Sequence, residues 1–166
     1  MDSDYCAIEY GDNLKEKPKS YDFFVGKRIL VRRIISRQFR IMATLTAEEF
    51  VCKKDIYIVK LTNERLSYEY ILALLNSKLI SYYKTKNSGA AKKDDFTQIT
   101  LGDIRQLPIP NIELALQQSF IEKVTAIITA KQNNTYTSKL EAEVDAMVYA
   151  LYGLTDDDIK LIEGVT

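Results

Sequence analysis

The chain has 166 residues, of which 46% are hydrophobic and 28% charged, the proportions of an ordinary globular protein rather than a disordered one. No apolar run approaches the ~20 residues of a membrane span, and the acidic start Met1-Asp2-Ser3-Asp4 is unlike a signal peptide, so the expected setting is cytoplasmic with no membrane contact. Histidine is absent, Cys6 and Cys52 form no Cys-x-x-Cys pair, and the six glycines build no phosphate loop, which argues against a self-contained enzyme, a zinc knuckle or a disulfide framework.

A formal net charge of zero conceals two unlike halves. Residues 1–110 carry 19 basic against 14 acidic side chains, whereas residues 111–166 carry 4 against 9. Between residues 27 and 93 the contrast sharpens to 15 against 5, the footprint of a polyanion-binding face attached to an acidic segment.

Residues 1–20 mix acids and lysines without a period and read as a flexible lead-in. Residues 28–35 and 39–45 are β-branched and apolar with cations interspersed, residues 55–61 alternate like a half-buried strand, and residues 97–100 make a fourth strand. Ser67 then stands at a helix N-cap, with Leu66 and Ile71 as a hydrophobic staple. One helix follows, with Ile71, Leu74, Leu75, Leu79 and Tyr82 on one face, and Asn87-Ser88-Gly89 ends it. Pro108 and Pro110 force an extended segment and a hinge. Beyond it Leu116, Phe120, Val124, Ile127 and Ile128 stripe one helix, and Leu140, Val144, Met147, Val148 and Leu151 stripe a second, started by a Ser138/Glu141 capping box and stopped by Gly153. Thr155 caps a last short helix, whose Asp156-Asp157-Asp158 run suits the helix dipole better than a metal. The fold class is α+β: a lead-in over 1–20, then a small twisted, mainly antiparallel sheet with a packed helix over 21–110, and a helical docking segment over 111–166.

Two basic groups flank this unit. Lys27, Arg28, Arg32, Arg33, Arg37 and Arg40 lie in one stretch without an acid and with Gln38 among them, and Lys84, Lys86, Asn87, Lys92 and Lys93 follow the apolar helix. Lysine and arginine release counterions from phosphates, and forked side chains such as Arg37, Gln38 and Arg40 suit base edges, so all twelve are candidate DNA contacts. Tyr57, Tyr82, Tyr149 and Tyr152 sit in apolar patterns and belong to the core rather than to a stacking platform, and Asp94, Asp95 and Asp103 lack metal-ligand spacing.

Residues 27–34, the run Leu74-Leu75-Asn76-Ser77-Lys78-Leu79-Ile80-Ser81-Tyr82-Tyr83, the close Gln106-Leu107-Pro108-Ile109-Pro110 and the ending at residues 143–155 together resemble the TaqI-like C-terminal specificity domain of adenine-specific DNA methyltransferases and, more distantly, type I specificity subunits. The resemblance runs from about residue 27 to 164. It implies a target recognition domain that holds double-stranded DNA while a methyltransferase domain or subunit flips out adenine. The catalytic Asn/Asp-Pro-Pro-aromatic motif of those enzymes is missing, so catalysis, its S-adenosylmethionine cofactor and any DNA cleavage would belong to a partner, with no cofactor in this chain. The acidic helical tail would dock on that partner or on a second copy. The alternative from another class is a protein-interaction module built on a helical bundle.

Overall fold

The structure, a computed structural model, describes residues 20–35, 40–52, 54–87 and 98–164. Its centre is a three-stranded antiparallel sheet in the order β2-β1-β3, with β1 at Arg28–Arg32, β2 at Ala43–Thr46 and β3 at Ile56–Val59. Alternation along the strands gives the sheet two faces. Ile29 and Val31 of β1, with Ala43 and Leu45 of β2 and Tyr57 and Val59 of β3, face the main core. Arg28, Leu30 and Arg32 point to the other side.

Six helices follow: α1 Tyr68–Asn76, α2 Lys78–Asn87, α3 Leu101–Arg105, α4 Leu114–Gln132, α5 Ser138–Leu151 and α6 Asp156–Glu163. The architecture is α+β, as the pattern of the sequence requires. Ser67 caps α1 by accepting the Tyr70 N–H, and Tyr70 through Leu75 are all buried, between the sheet on one side and α4 and α5 on the other. The single helix expected there is two helices. At Ser77 the backbone is extended, the Ser77 hydroxyl donates to Leu74 O and accepts the Ile80 N–H, and the Asp145 carboxylate accepts the Lys78 N–H at 2.8 Å. The break lets the Asn76 amide face β2, where it accepts from Ala43 N and donates to Ala43 O as a neighbouring strand would.

The fourth strand is reduced, among the described residues, to one antiparallel bridge between Ile34 and Gln98. Thr100 leaves the sheet at once to form a reciprocal capping box with Asp103 at the start of α3. The C-terminal helices do not stand apart as a tail: Phe120 and Val124 of α4 and Val144 and Val148 of α5 lie in the same buried cluster as Ile29, Val31 and α1. Tyr70 and Phe120 meet edge to face with ring centroids 5.3 Å apart. Nor do the prolines make a free hinge, because Tyr152 donates to Pro108 O and Tyr70 to Pro110 O at 2.9 Å. Burial pushes the Tyr70 phenol up to about 12.

Two helix details differ from the expected pattern. Leu116 is 63% exposed, and its neighbour Gln117 is buried instead. The Gln117 amide accepts from Ser67 N and donates to Arg65 O and Ile112 O, tying the start of α4 to the cap of α1. At α5 the N-cap is Thr137 rather than Ser138, because the Glu141 carboxylate is taken by the Thr137 hydroxyl and Lys131 and does not turn back toward Ser138. Gly153, at φ +65°, follows α5, and Thr155 caps α6 as expected. No helix among the described residues is long and apolar enough to cross a membrane.

Candidate nucleic-acid interface

The six basic residues of the first cluster do not share one surface. Arg28 is fully buried: its guanidinium donates to Gly26 O at 2.9 Å, Glu48 O at 2.6 Å and Phe50 O at 3.5 Å, and lies 5.0 Å from the Phe50 ring. A guanidinium so occupied is out of reach of DNA, so the expectation that Arg28 contacts phosphate is corrected to a structural role. Lys27 pairs with Glu69 at 2.7 Å and lies 5.5 Å from the Tyr68 ring. Arg40, expected to read bases, turns inward and donates to Asn76 O at 2.6 Å. It lines one side of a cavity of about 300 Å³ between β2, α1, α4 and α5, whose apolar wall includes Ile127, Ile128 and Val144. Its charge acts on Glu141, Asp145 and Glu163. Burial nevertheless raises the Asp145 carboxyl, outweighing the bond from Lys78 N and the charge of Arg40.

What remains gathers at the far end of the sheet. Arg32 is exposed there, with its guanidinium 4.0 Å from Met42 Sδ. Arg33 donates its N–H to Asp55 O, its carbonyl accepts the Ile99 N–H, both at 2.9 Å, and its Nε has no partner among the described residues. Through Ile99 and Thr100 this end leads to α3, and α3 is bound to α2 by the Lys84–Asp103 pair at 2.8 Å. The Lys84 side chain is only 7% exposed, so its expected phosphate contact is likewise corrected. Burial alone would raise the Asp103 carboxyl, but the bonds from Lys84 and Thr100 prevail and hold it below the usual carboxylate range. Lys86 is exposed at 5.4 Å from the Tyr82 ring.

Arg32, Arg33, Lys86 and Arg105 are carried by elements linked at this end through Ile99 and the Lys84–Asp103 pair, and are together termed the cationic rim; none has a carboxylate within 4 Å among the described residues. Exposed Gln98 stands beside it, held by the bridge to Ile34. Sequence reasoning missed Gln98 and Arg105, since neither lies in a charge run and only the bridge and the α2–α3 ion pair bring them to the rim. Arg37, Gln38, Lys92 and Lys93 lie outside the described residues, as does the Asn87 side chain. No group of metal-ligating side chains occurs among the described residues.

The described residues thus present an antiparallel sheet backed by helices, with exposed cations at one end. The chain belongs to the TaqI-like C-terminal specificity domain family, whose model matches residues 3–109. The match starts well before residue 27 and stops short of α4, so the family region includes the supposed lead-in and leaves the last helices outside it. Over 145 residues, 83% of this chain, it is also 39% identical to a protein of Methanocaldococcus jannaschii whose name marks it as a candidate type II restriction enzyme and methyltransferase. The chain spans 12% of that relative's length.

Proposed function

We propose that this chain is the target recognition domain of an N6-adenine DNA methyltransferase or restriction-modification enzyme, reading double-stranded DNA and catalysing no step itself. The observation that carries this reading is the unneutralised rim of Arg32, Arg33, Lys86 and Arg105 in a member of a specificity-domain family. Duplex DNA presents one negative charge per ~1.7 Å of axis, so cations free of carboxylates bind it with release of counterions. The Arg32 guanidinium has the fork that guanine O6 and N7 accept, and the Gln98 amide has the fork that matches adenine. A methyltransferase domain or subunit would complete the grip. S-adenosylmethionine would supply the methyl group on that partner, and the complex would work in the cytoplasm, where the DNA is.

Selection from a random duplex library, followed by sequencing of the bound fraction, tests the reading. A short recurrent sequence is expected with the wild-type chain, and Arg32→Ala or Gln98→Ala should blur one or two positions of it while phosphate contacts elsewhere persist. A bound pool as random as the input would contradict sequence reading.

A further inference from the structure

We propose that the two segments lying over the outer face of the sheet at its Arg28 end, around residues 21–23 and 50–51, form the surface on which the methyltransferase part of the enzyme docks. This rests on the recognition-domain reading above. Tyr21, Phe23, Phe50 and Val51 are 39%, 45%, 40% and 46% exposed, on two segments far apart in sequence. Buried Arg28 joins those segments by donating to Gly26 O on one and to Glu48 O on the other. Tyr21 donates to Glu49, and Lys60 donates to Asp22 O and Val25 O. A fully buried cation and a lysine thus fasten the backbone of the two segments that carry the exposed aromatic side chains. Such preorganisation is what an interface core needs, since ordering its side chains beforehand lowers the cost of association.

The rim of the patch names the occupant. Asp22, Glu48 and Glu49 are exposed around it and outnumber the exposed Lys60, whose ammonium sits on Asp22 O and Val25 O, so the border is acidic on balance and disfavours DNA. Two-fold pairing with a second copy would set the same carboxylates against each other. The fitting partner is a protein surface with an apolar centre and a basic border, and the M. jannaschii relative shows how much polypeptide accompanies such a domain. Arg28 and Arg32 lie four residues apart on β1, about 13 Å, so the patch and Arg32 stand at opposite ends of the strand. The helices of residues 111–166 bury Phe120, Val124, Val144 and Val148 in the core, and no buried cation among the described residues joins the segments that carry their exposed Leu114, Leu116 and Leu161.

The test compares hydroxyl-radical oxidation of the isolated chain with that of the M. jannaschii protein carrying this chain in place of its matching stretch. Phe23 and Phe50 should oxidise about fivefold more slowly in the chimera, as water is excluded from an interface core, with Tyr136 and Leu161 unchanged. Equal rates in both proteins would overturn the assignment. Slow oxidation of Phe23 and Phe50 already in the isolated chain would also overturn it, pointing to cover by residues 1–19. A second variant, Phe23→Glu with Val51→Glu, guards against a chimera that fails to fold. In the isolated chain it should leave the duplex affinity within about twofold, because the rim lies beyond the ~8 Å screening length. A larger loss, or the disappearance of a dimer seen by sedimentation, would give the patch to DNA or to a second copy. Failure of the wild-type chain to bind any duplex would sink the recognition reading, a different result from all of these.

Discussion

Replacing Arg28 with methionine separates fold from function. The two short bonds to Gly26 O and Glu48 O are charge-assisted, and each contributes about 1.5–3 kcal/mol, so their loss costs roughly 3–6 kcal/mol. Against this, Arg28 Nε is buried without a partner among the described residues, a penalty of about 1–3 kcal/mol that disappears with the guanidinium. Methionine restores most of the apolar contact with Phe50 but also forgoes the long bond to Phe50 O, worth up to about 1 kcal/mol, and the net loss for Arg28→Met is about 2–4 kcal/mol. At roughly 2–4 °C per kcal/mol for a chain of this size, the midpoint falls by about 4–16 °C. Thermal unfolding followed by circular dichroism measures the shift, and fluorescence anisotropy well below the new midpoint should find duplex affinity changed by less than about twofold. An unchanged midpoint, or a loss of affinity as large as that of Arg32→Ala, would refute the structural assignment of Arg28.

Four further substitutions, at three residues, probe the supports of the fold. Asn76→Ala removes both bonds to Ala43 and should cost about 1–3 kcal/mol in urea unfolding, with concentration-dependent light scattering as the β2 edge opens. Asp103→Asn leaves Lys84 buried without its counter-charge and should cost about 3 kcal/mol at neutral pH. Because the folded Asp103 carboxyl is depressed, its contribution is present above the ordinary range near pH ~4 and is lost as pH falls through the lower folded value, so the variant should lose less stability on acidification than the wild type. Asp145 has the opposite sign: burial raises it, so wild-type stability gains as pH falls from the folded value toward the ordinary one. Asp145→Asn keeps an acceptor for Lys78 N and should match or exceed the wild-type midpoint at neutral pH, whereas Asp145→Ala loses the cap and about 1 kcal/mol.

The strands, the Ser67 and Thr155 caps and the stop at Gly153 were legible because each follows from local chemistry: alternation, a hydroxyl before a helix, a residue at positive φ. The break at Ser77 was hidden because its determinant, Asp145, arrives from 67 residues away. Leu116 and Gln117 exchanged roles for a similar reason, since only the tertiary packing of α4 on the N-cap of α1 makes a buried amide worth more there than a leucine. Charge counting found the basic stretch but could not sort it. Arg28, Arg32 and Arg40 look alike in sequence, yet one clamps carbonyls beneath the sheet, one faces solvent and one closes onto the end of α1. Burial and partner geometry decide among them, and neither is a local property.

The central claim is that the Arg32 end of the sheet binds duplex DNA, and salt-titrated fluorescence anisotropy with a random duplex tests it most directly. Four rim cations at about 0.9 each predict log K falling with log salt at a slope of roughly −3 to −4, and Arg32→Ala with Arg33→Ala should reduce that slope by about 2. A slope near zero, or one that the double variant leaves unchanged, would contradict the account.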